Sequence, residues 1–252
     1  MLNKEELRGY EKVVGLNLWQ VEKDYLQHLL LLFLYQRIKT ELIFKGGTAL
    51  QKVFGLNRFS IDLDFTSTDN KAEKVLEDVT KDMTTFGFPS NVSKVEKMEV
   101  GKIIVVKIKG PLYEGTERTI TTLRMEISSR KDLVLGPVEK EIVPVYPDLR
   151  AYRVVVMSLE EILAEKVRAI LWRARARDLY DLWFLLKKNV KLNLELINKK
   201  LTYYDLKFDK NQLFKQIESL KGKWELELPP TVKVLPSFET TREDCENFLK
   251  EI

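Results

Sequence analysis

The chain has 252 residues, of which 44% are hydrophobic, so it can bury a sizeable core without disulfides or structural metal ions. Its single cysteine, Cys245, excludes an internal disulfide, and one cysteine with one histidine argues against a zinc site of the usual kind. The net charge of +4 permits contact with nucleotides or nucleic acids but does not require it.

The N-terminal segment predicts a cytoplasmic protein. Its first ten residues are charged throughout and do not resemble a signal peptide. The longest apolar run, at 29–35, is too short to span a bilayer. We therefore expect a soluble protein with no membrane contact.

The first part of the chain is expected to mix helices and strands. The wide apolar face of residues 21–39 predicts a helix that places His28, the only histidine, near the core. The apolar run at 41–44 predicts a buried strand ending at Gly46 and Gly47. The next patterns predict a helix at 48–53, a strand at 59–66, a helix at 71–86 and strands at 100–109 and 119–128.

The pattern becomes helical from Met157 onwards. Residues 158–188 have apolar residues at helical spacing, and Ser158 followed by Glu161 is a capping-box signature. The remainder, 190–252, is also mainly helical in pattern. The sequence thus predicts an α+β protein of two domains. Residues 1–150 would form a mixed β-sheet with flanking helices, and residues 151–252 would form a mainly helical domain.

The two glycines after the first strand predict an anion site. A strand that enters a helix through Gly46 and Gly47 leaves free backbone N–H groups at the helix N-terminus, where the helix dipole adds partial positive charge. Thr48 can cap the helix or donate its hydroxyl to a phosphate oxygen. A plain strand–helix turn is the alternative interpretation.

Two carboxylates in the strand expected at 59–66 predict a metal site. Alternation places Asp62 and Asp64 on one face, about 7 Å apart along the strand, while Ile61 and Phe65 anchor the other face in the core. Carboxylates held so close repel each other, and Mg²⁺, which prefers carboxylate and phosphate oxygens, would remove that cost. A solvated strand face is the alternative.

A third carboxylate, Glu126, lies on the polar face of the strand expected at 119–128. If this strand pairs beside the strand of Asp62, Glu126 would complete a three-carboxylate metal cage, or one acid could act as general base for an attacking hydroxyl. An exposed strand glutamate without such a role is the alternative.

Together these residues resemble a known family. FKGGTALQKVFGLNRFSIDLDF, at 44–65, resembles the signature of the AbiEii/AbiGii-type nucleotidyltransferases, the toxin half of a group of abortive-infection toxin–antitoxin systems. That group belongs to the DNA polymerase β-like nucleotidyltransferase superfamily. Four further blocks resemble the family in matching order: EKDYLQHLLL at 22–31, MEIS around Glu126, LEEILAEKVRAI around Lys166 and RARDLYDLW at 175–183.

The resemblance implies a Mg²⁺-dependent nucleotidyltransferase with the mixed-sheet fold of that superfamily. It implies that Lys166 contacts the nucleoside triphosphate, and that Asp178 and Asp181 form a further motif. It also implies an RNA acceptor, tRNA among the candidates, and a cognate antitoxin protein. The expected nucleotide site comprises Gly46, Gly47, Thr48, Arg58, Ser60, Lys166, Asp178 and Asp181, and the expected metal ligands are Asp62, Asp64 and Glu126.

Two features depart from what the resemblance leads us to expect. Relatives often have an acid where this chain has Ile61. On one straight helix, Lys166 and Asp181 would lie about 22 Å apart and could not share a site. We therefore expect a turn near 175–177, with Asp178 close to the N-terminus of the next helix.

Several alternatives stay open at the level of sequence. Arg58 could steer a triphosphate or pair with a nearby carboxylate. Four arginines could hold an RNA backbone or form a solvated helix face: Arg168, Arg173, Arg175 and Arg177. Trp172 and Trp183 are expected to anchor the core rather than stack on bases. A phosphotransferase on the same scaffold and a non-catalytic nucleotide-binding module are the alternative functions.

Overall fold

The computed structural model describes residues 1–67 and 72–250, so Lys71, the first residue of the helix expected at 71–86, lies outside the described residues. The strands are β1 (Leu42–Lys45), β2 (Leu63–Ser67), β3 (Ser90–Met98), β4 (Gly101–Ile108), β5 (Thr121–Ser128), β6 (Val138–Ile142) and β7 (Tyr152–Val156). The helices are α1 (Lys4–Arg8), α2 (Glu11–Val14), α3 (Leu18–Arg37), α4 (Gly46–Phe54), α5 (Ala72–Phe86), α6 (Leu159–Arg173), α7 (Ala176–Lys187), α8 (Leu194–Thr202), α9 (Lys210–Glu218), α10 (Lys221–Glu227) and α11 (Phe238–Leu249). This mixture confirms the predicted α+β class. No helix in these ranges is long and apolar enough to cross a membrane.

The chain divides into two compact units that are not simple halves of the sequence. The first unit comprises 1–55, 59–131 and 137–156, and the second comprises 56–58, 132–136 and 157–252. The chain enters the second unit for the last time after Val156, six residues later than the expected boundary at residue 150. The reason is that β7 still pairs within the sheet of the first unit.

A mixed sheet forms the first unit. Within the described ranges its seven strands run in the order β3-β4-β5-β2-β1-β7-β6. β2 lies between β1, with which it is antiparallel, and β5, with which it is parallel. The end of β1 and the beginning of β2 therefore lie side by side in the centre of the sheet. β5 lies on the other side of β2.

The core of this unit lies between the sheet and α3. Tyr25 and Leu29 of α3 are fully buried with Phe44 of β1, Phe65 of β2 and Met125 of β5. Polar positions alternate with these apolar ones along β2 and β5, so the packing that buries one set turns the other set outward. Packing on α3 thereby fixes the strand faces on which the candidate site residues lie.

The strand expected at 59–66 begins only at Leu63, so that prediction is wrong for its first part. Side chains from α3 and α4 bind the backbone groups that a longer strand would use in its ladder. Gln27 Nε2 donates to the carbonyl oxygens of Ser60 at 3.1 Å and Ile61 at 2.8 Å. The Ser60 N–H donates to Gln51 Oε1 at 2.8 Å. Ile61 is 40% exposed and does not anchor the core as expected.

Three strands were not predicted, and two of them lie at the sheet edges. β3 and β6 are largely exposed and contain lysines and glutamates, so they lack the apolar alternation that marks a half-buried strand. The third, β7, lies just after the expected domain boundary at residue 150, where no element was predicted.

A break between two helices organises the second unit. α6 ends at Arg173, and its C-cap residue Ala174 has a φ of 41°, in the left-handed region. Arg175, with an extended backbone, occupies the N-cap position of α7. This confirms the turn expected near 175–177, one residue earlier than predicted. The capping box predicted for α6 is only half formed. Ser158 accepts from the Glu161 N–H, but the Glu161 carboxylate accepts instead from the N–H groups of Val134 and Leu135.

Candidate active site

The turn between β1 and α4 requires glycine at its first position. Gly46 has a φ of +72°, which side-chain-bearing residues rarely adopt. A β carbon there would also lie 2.9 Å from Cγ of Asp64. The missing side chain thus lets the Asp64 carboxyl group approach the N-terminus of α4.

Thr48 has a different role from the one expected. It lies inside α4 and is fully buried, and Lys45 occupies the N-cap position, so the predicted cap is wrong. The Thr48 hydroxyl donates to the backbone carbonyl of Asp62. Its proton is therefore not available for a hydrogen bond to a phosphate oxygen. Thr48 therefore holds the segment that carries Asp62 against α4.

Two of the three expected acids are direct neighbours in the sheet. Asp64 of β2 pairs in register with Glu126 of β5, because these parallel strands are adjacent. Asp62 lies just before β2 rather than on it. The side chains of Asp62 and Glu126 are 28% and 41% exposed, so both carboxylates are accessible to water and to ligands.

Arg124 belongs to this group of side chains but was not predicted. Its Nη1 lies 2.9 Å from Glu126 Oε1 and 3.9 Å from Asp62 Oδ2. Arg124 and Glu126 are two residues apart on the polar face of one strand, and this alternation is the signal that could have found the arginine.

The donor set fits a magnesium ion bound together with substrate phosphates. No group of three acids, histidines or cysteines within residues 1–67 and 72–250 is arranged as a ready ligand set. Mg²⁺ commonly takes only one or two carboxylates and completes its shell with water and phosphate oxygens. Asp64 and Glu126 on neighbouring strands, with Asp62 beside them, offer hard oxygens of that kind. The three-carboxylate cage itself stays a prediction.

Lys23 adds positive charge close to these acids. It lies on α3 and is partly buried. Burial lowers the pKa of its ammonium group, and the carboxylates of Asp62 and Glu22 oppose that shift. Lys23 was part of the family-like block at 22–31 but had no assigned role. The structure brings it within electrostatic reach of Asp62.

The other expected nucleotide-binding residues form a buried ion cluster in the second unit. Lys166 Nζ lies 2.7 Å from Asp181 Oδ2 and 3.1 Å from Asp178 Oδ1. The turn after α6 thus brings together residues that one straight helix would keep apart. Asp178 lies in the first turn of α7, as predicted.

Two arginines complete the cluster. Arg58 is buried and bonds both oxygens of Asp181 at 3.0 Å, so the carboxylate-pairing alternative is the one that the structure shows. Arg173 donates to both oxygens of Asp178. With Lys166 the cluster therefore has three cations and two anions.

The cluster keeps Asp178 and Lys166 charged despite their burial. Burial alone would raise the pKa of Asp178, but Lys166 and Arg173 hold it well below the usual range of a carboxyl. Burial alone would lower the pKa of Lys166, but Asp181 and Asp178 raise it. The charges of Asp178 and Lys166 are thus stabilised mainly by their partners rather than by water.

Two of the three tryptophans of this unit, Trp172 and Trp183, were expected to anchor the core. Trp172 is 60% exposed, so the expectation that it anchors the core is wrong. Trp183 is partly buried, and its indole N–H donates to Asp244 at 2.9 Å.

The fold is that of the nucleotidyltransferase toxins. MenT4, a nucleotidyltransferase toxin from Mycobacterium tuberculosis H37Rv, matches with a TM-score of 0.70 at 18% identity, over 100% of this chain and 91% of that chain. JHP933 from Helicobacter pylori matches with a TM-score of 0.60 at 20% identity, over 94% of this chain and 92% of that chain. A comparison with curated protein sequences gives no match.

The sequence itself defines the family. The model of the family described as "Nucleotidyl transferase AbiEii toxin, Type IV TA system" matches residues 32–249. The chain therefore belongs to the AbiEii nucleotidyltransferase toxins of type IV toxin–antitoxin systems, which confirms the resemblance. The block at 22–31, which contributes Lys23, lies before the matched residues.

Proposed function

We propose that this nucleotidyltransferase moves a nucleotidyl group from an NTP to an RNA acceptor, tRNA being the first candidate, in a Mg²⁺-dependent reaction. The observation that carries the proposal is the position of Asp64, which lies against Gly46 at the N-terminus of α4 and in register with Glu126. A phosphate-binding turn and carboxylates for a metal ion are thereby adjacent.

The residues of the first unit divide the work of this reaction. The N–H groups at the start of α4 bind phosphate oxygens, aided by the helix dipole. Asp62 and Asp64 hold the metal ion, which when bound neutralises phosphate charge. Glu126 completes the ligand set or accepts the proton of the attacking hydroxyl. Lys23 adds positive charge near Asp62.

The roles of the buried cluster and of Ser60 in nucleotide binding are proposals that rest on the family resemblance. Lys166 would neutralise charge on the triphosphate as pyrophosphate leaves. The described ion pairs of the cluster are compatible with this role, since they join three cations to two anions. As a toxin of a type IV system, the protein would act with a cognate antitoxin.

Labelled nucleotides test the reaction directly. The protein is incubated with Mg²⁺, total RNA and each NTP labelled on either the α or the γ phosphate. Transfer of the α label into RNA, with release of pyrophosphate, is expected. Transfer of the γ label alone would show a phosphotransferase, and no transfer despite a thermal shift with Mg²⁺ and NTP would show a binding module.

Substitution of Asp64 tests the site. Asp64→Asn should abolish transfer without loss of stability, because it removes a metal ligand and relieves repulsion with its neighbouring acids. Glu96→Gln is the matched control, since Glu96 is an exposed acid on the edge strand β3. Full activity in Asp64→Asn would exclude the proposed metal site.

A further inference from the structure

A cluster of aromatic side chains is exposed on the second unit. We call Trp172, Tyr203 and Tyr204 the aromatic platform. The ring centroids of Trp172 and Tyr204 are 4.7 Å apart, and those of Tyr203 and Tyr204 are 5.4 Å apart. Trp172 is 60% exposed and Tyr203 is 47% exposed. The platform therefore presents apolar ring surface to solvent.

This exposure has no explanation in the packing of the unit. Large aromatic side chains usually contribute to stability by burying most of their surface. Trp172 lies in the last turn of α6, and its ring rests on Tyr204 at an interplanar angle of 45° rather than in the core. Contiguous exposed apolar surface of this kind commonly marks an interaction site.

The charges around the platform indicate what binds there. The Arg168 guanidinium lies 5.3 Å from the ring centroid of Tyr204, a cation–π arrangement. Arg175 and Arg177 follow Trp172 closely in the chain. Within residues 1–67 and 72–250 neither makes an ion pair, whereas Arg173 is bound to Asp178. Exposed aromatic rings, followed closely in the chain by arginines that make no ion pair, are complementary to bases linked by phosphates.

We propose that the platform stacks an unpaired base of the RNA acceptor, while Arg175 and Arg177 contact the adjacent phosphates. This inference rests on the proposed RNA acceptor and adds to it the single-stranded character of the segment that is bound. Double-stranded RNA hides its base faces, so it could use the arginines but not the platform. The proposal thus separates two contributions, stacking by Trp172 and phosphate contact by the arginines.

Direct binding measures the stacking contribution without catalysis. The probe is a fluorescent single-stranded oligoadenylate of about eight nucleotides, within the range of single-strand binding sites, and an abasic oligomer of equal length is compared with it. Wild type should bind the oligoadenylate more tightly than the abasic oligomer. Trp172→Leu should lose roughly tenfold in affinity for the oligoadenylate only, the effect expected for losing one stacked base. Trp172→Phe should recover part of it.

Two further variants make the assignment specific. Trp19→Leu is the matched control, because Trp19 is also exposed, at 48%, but lies in the first unit against Phe59. It should bind like wild type. Replacing Arg175 and Arg177 together by Gln should lower the salt slope by up to about two, one for each lost phosphate contact. Trp172→Leu should leave that slope unchanged.

Several outcomes would overturn the proposal. These are equal affinity of wild type for both oligomers, equal losses in Trp172→Leu and Trp19→Leu, or an unchanged salt slope in the arginine variant. Melting temperatures of all variants show whether a loss reflects unfolding. If the α label of the NTP is transferred to RNA but the oligomers and variants do not bind as expected, only the role of the platform is excluded. If no RNA accepts the label, the proposed acceptor fails, whatever the oligomers show.

Discussion

At the scale of single residues, the site depends on a glycine that makes room for an acid. Gly46 combines a left-handed backbone with the close approach of the Asp64 carboxyl group. Gly55, at the other end of α4, has a similar φ of +80°, but a β carbon there would meet no neighbour within 4 Å. Substitution of Gly55 therefore tests backbone strain alone, whereas substitution of Gly46 adds steric overlap with Asp64.

Gly46→Ala should lose transfer activity and nucleotide binding, since its methyl group would displace Asp64 from the N-terminus of α4. Gly55→Ala should lose only about 1 kcal/mol of stability, from the unfavourable φ, and keep its activity. Denaturant unfolding and nucleotide titration of both variants measure these effects. Equal activity in the two variants would show that contact between Asp64 and the turn is unimportant.

Sequence predicted these residues but not their exact environments. The glycine pair and the acids two residues apart indicated candidate phosphate and metal sites from local pattern alone, and the roles of these residues stay predictions. The strand pattern could have selected Arg124, which alternates with Glu126 on β5, but Lys23 could not be selected, because its significance comes from its approach to Asp62, which is distant in the chain.

At the scale of elements, the break between α6 and α7 creates a cluster that neither helix could form alone. Lys166 on α6 meets Asp178 and Asp181 on α7 only because Ala174 adopts a left-handed conformation. The sequence at the break contains neither glycine nor proline, so the turn was expected from the family resemblance, which implies that Lys166 and Asp181 share one site, and not from a helix breaker.

The charge balance of the cluster predicts unequal effects of its members. Asp178→Asn should destabilise the protein by about 3–5 kcal/mol, because it leaves one buried carboxylate among three cations. Lys166→Ala should cost less, because it leaves two cations with two anions. Urea unfolding near neutral pH measures both, and the solvent-exposed Glu239→Gln is the control.

The pH dependence of the cluster follows from the lowered pKa of Asp178. Its contribution to stability is present above the unfolded pKa, near pH 4, and is lost as pH falls through the folded pKa.

Nucleotide titration of Lys166→Ala then tests the role implied by the family. Unchanged NTP affinity in that variant would leave Lys166 with the structural role alone.

At the scale of the whole molecule, buried charge in the first unit makes stability depend on pH. Asp24 of α3 lies 2.8 Å from Lys52 of α4 and accepts a hydrogen bond from Tyr146 at 2.8 Å. His28 is buried beside this group and contacts the Tyr152 hydroxyl at 2.9 Å. Burial, with the charge of Lys52, lowers the pKa of His28 from 6.5 to about 3, against the pull of Asp24.

The sign of the effect follows from which state binds the proton. Between the folded pKa of about 3 and the unfolded pKa of 6.5, the unfolded chain binds a proton that the folded protein does not. Stability should therefore fall by about 2 kcal/mol from pH 7 to pH 5 through this residue. His28→Gln should show a smaller difference between these two pH values in denaturant unfolding. An identical difference in both proteins would mean that His28 does not titrate as inferred.

The sequence by itself determined the fold class, the helices α3 to α7, the strands β1, β4 and β5 with the latter part of β2, and, through the family-like blocks, the family. Apolar periodicity and the glycine turn act between residues close in the chain, so they can be recognised without a structure. Only the tertiary structure decided where β2 begins, that Thr48 binds a backbone carbonyl, that Arg58 pairs with Asp181 and that Trp172 is exposed. Each of these features depends on whether side chains from distant segments bind one hydrogen-bonding group or cover one surface. Local pattern cannot predict such contacts, because it describes only residues that are close in the chain.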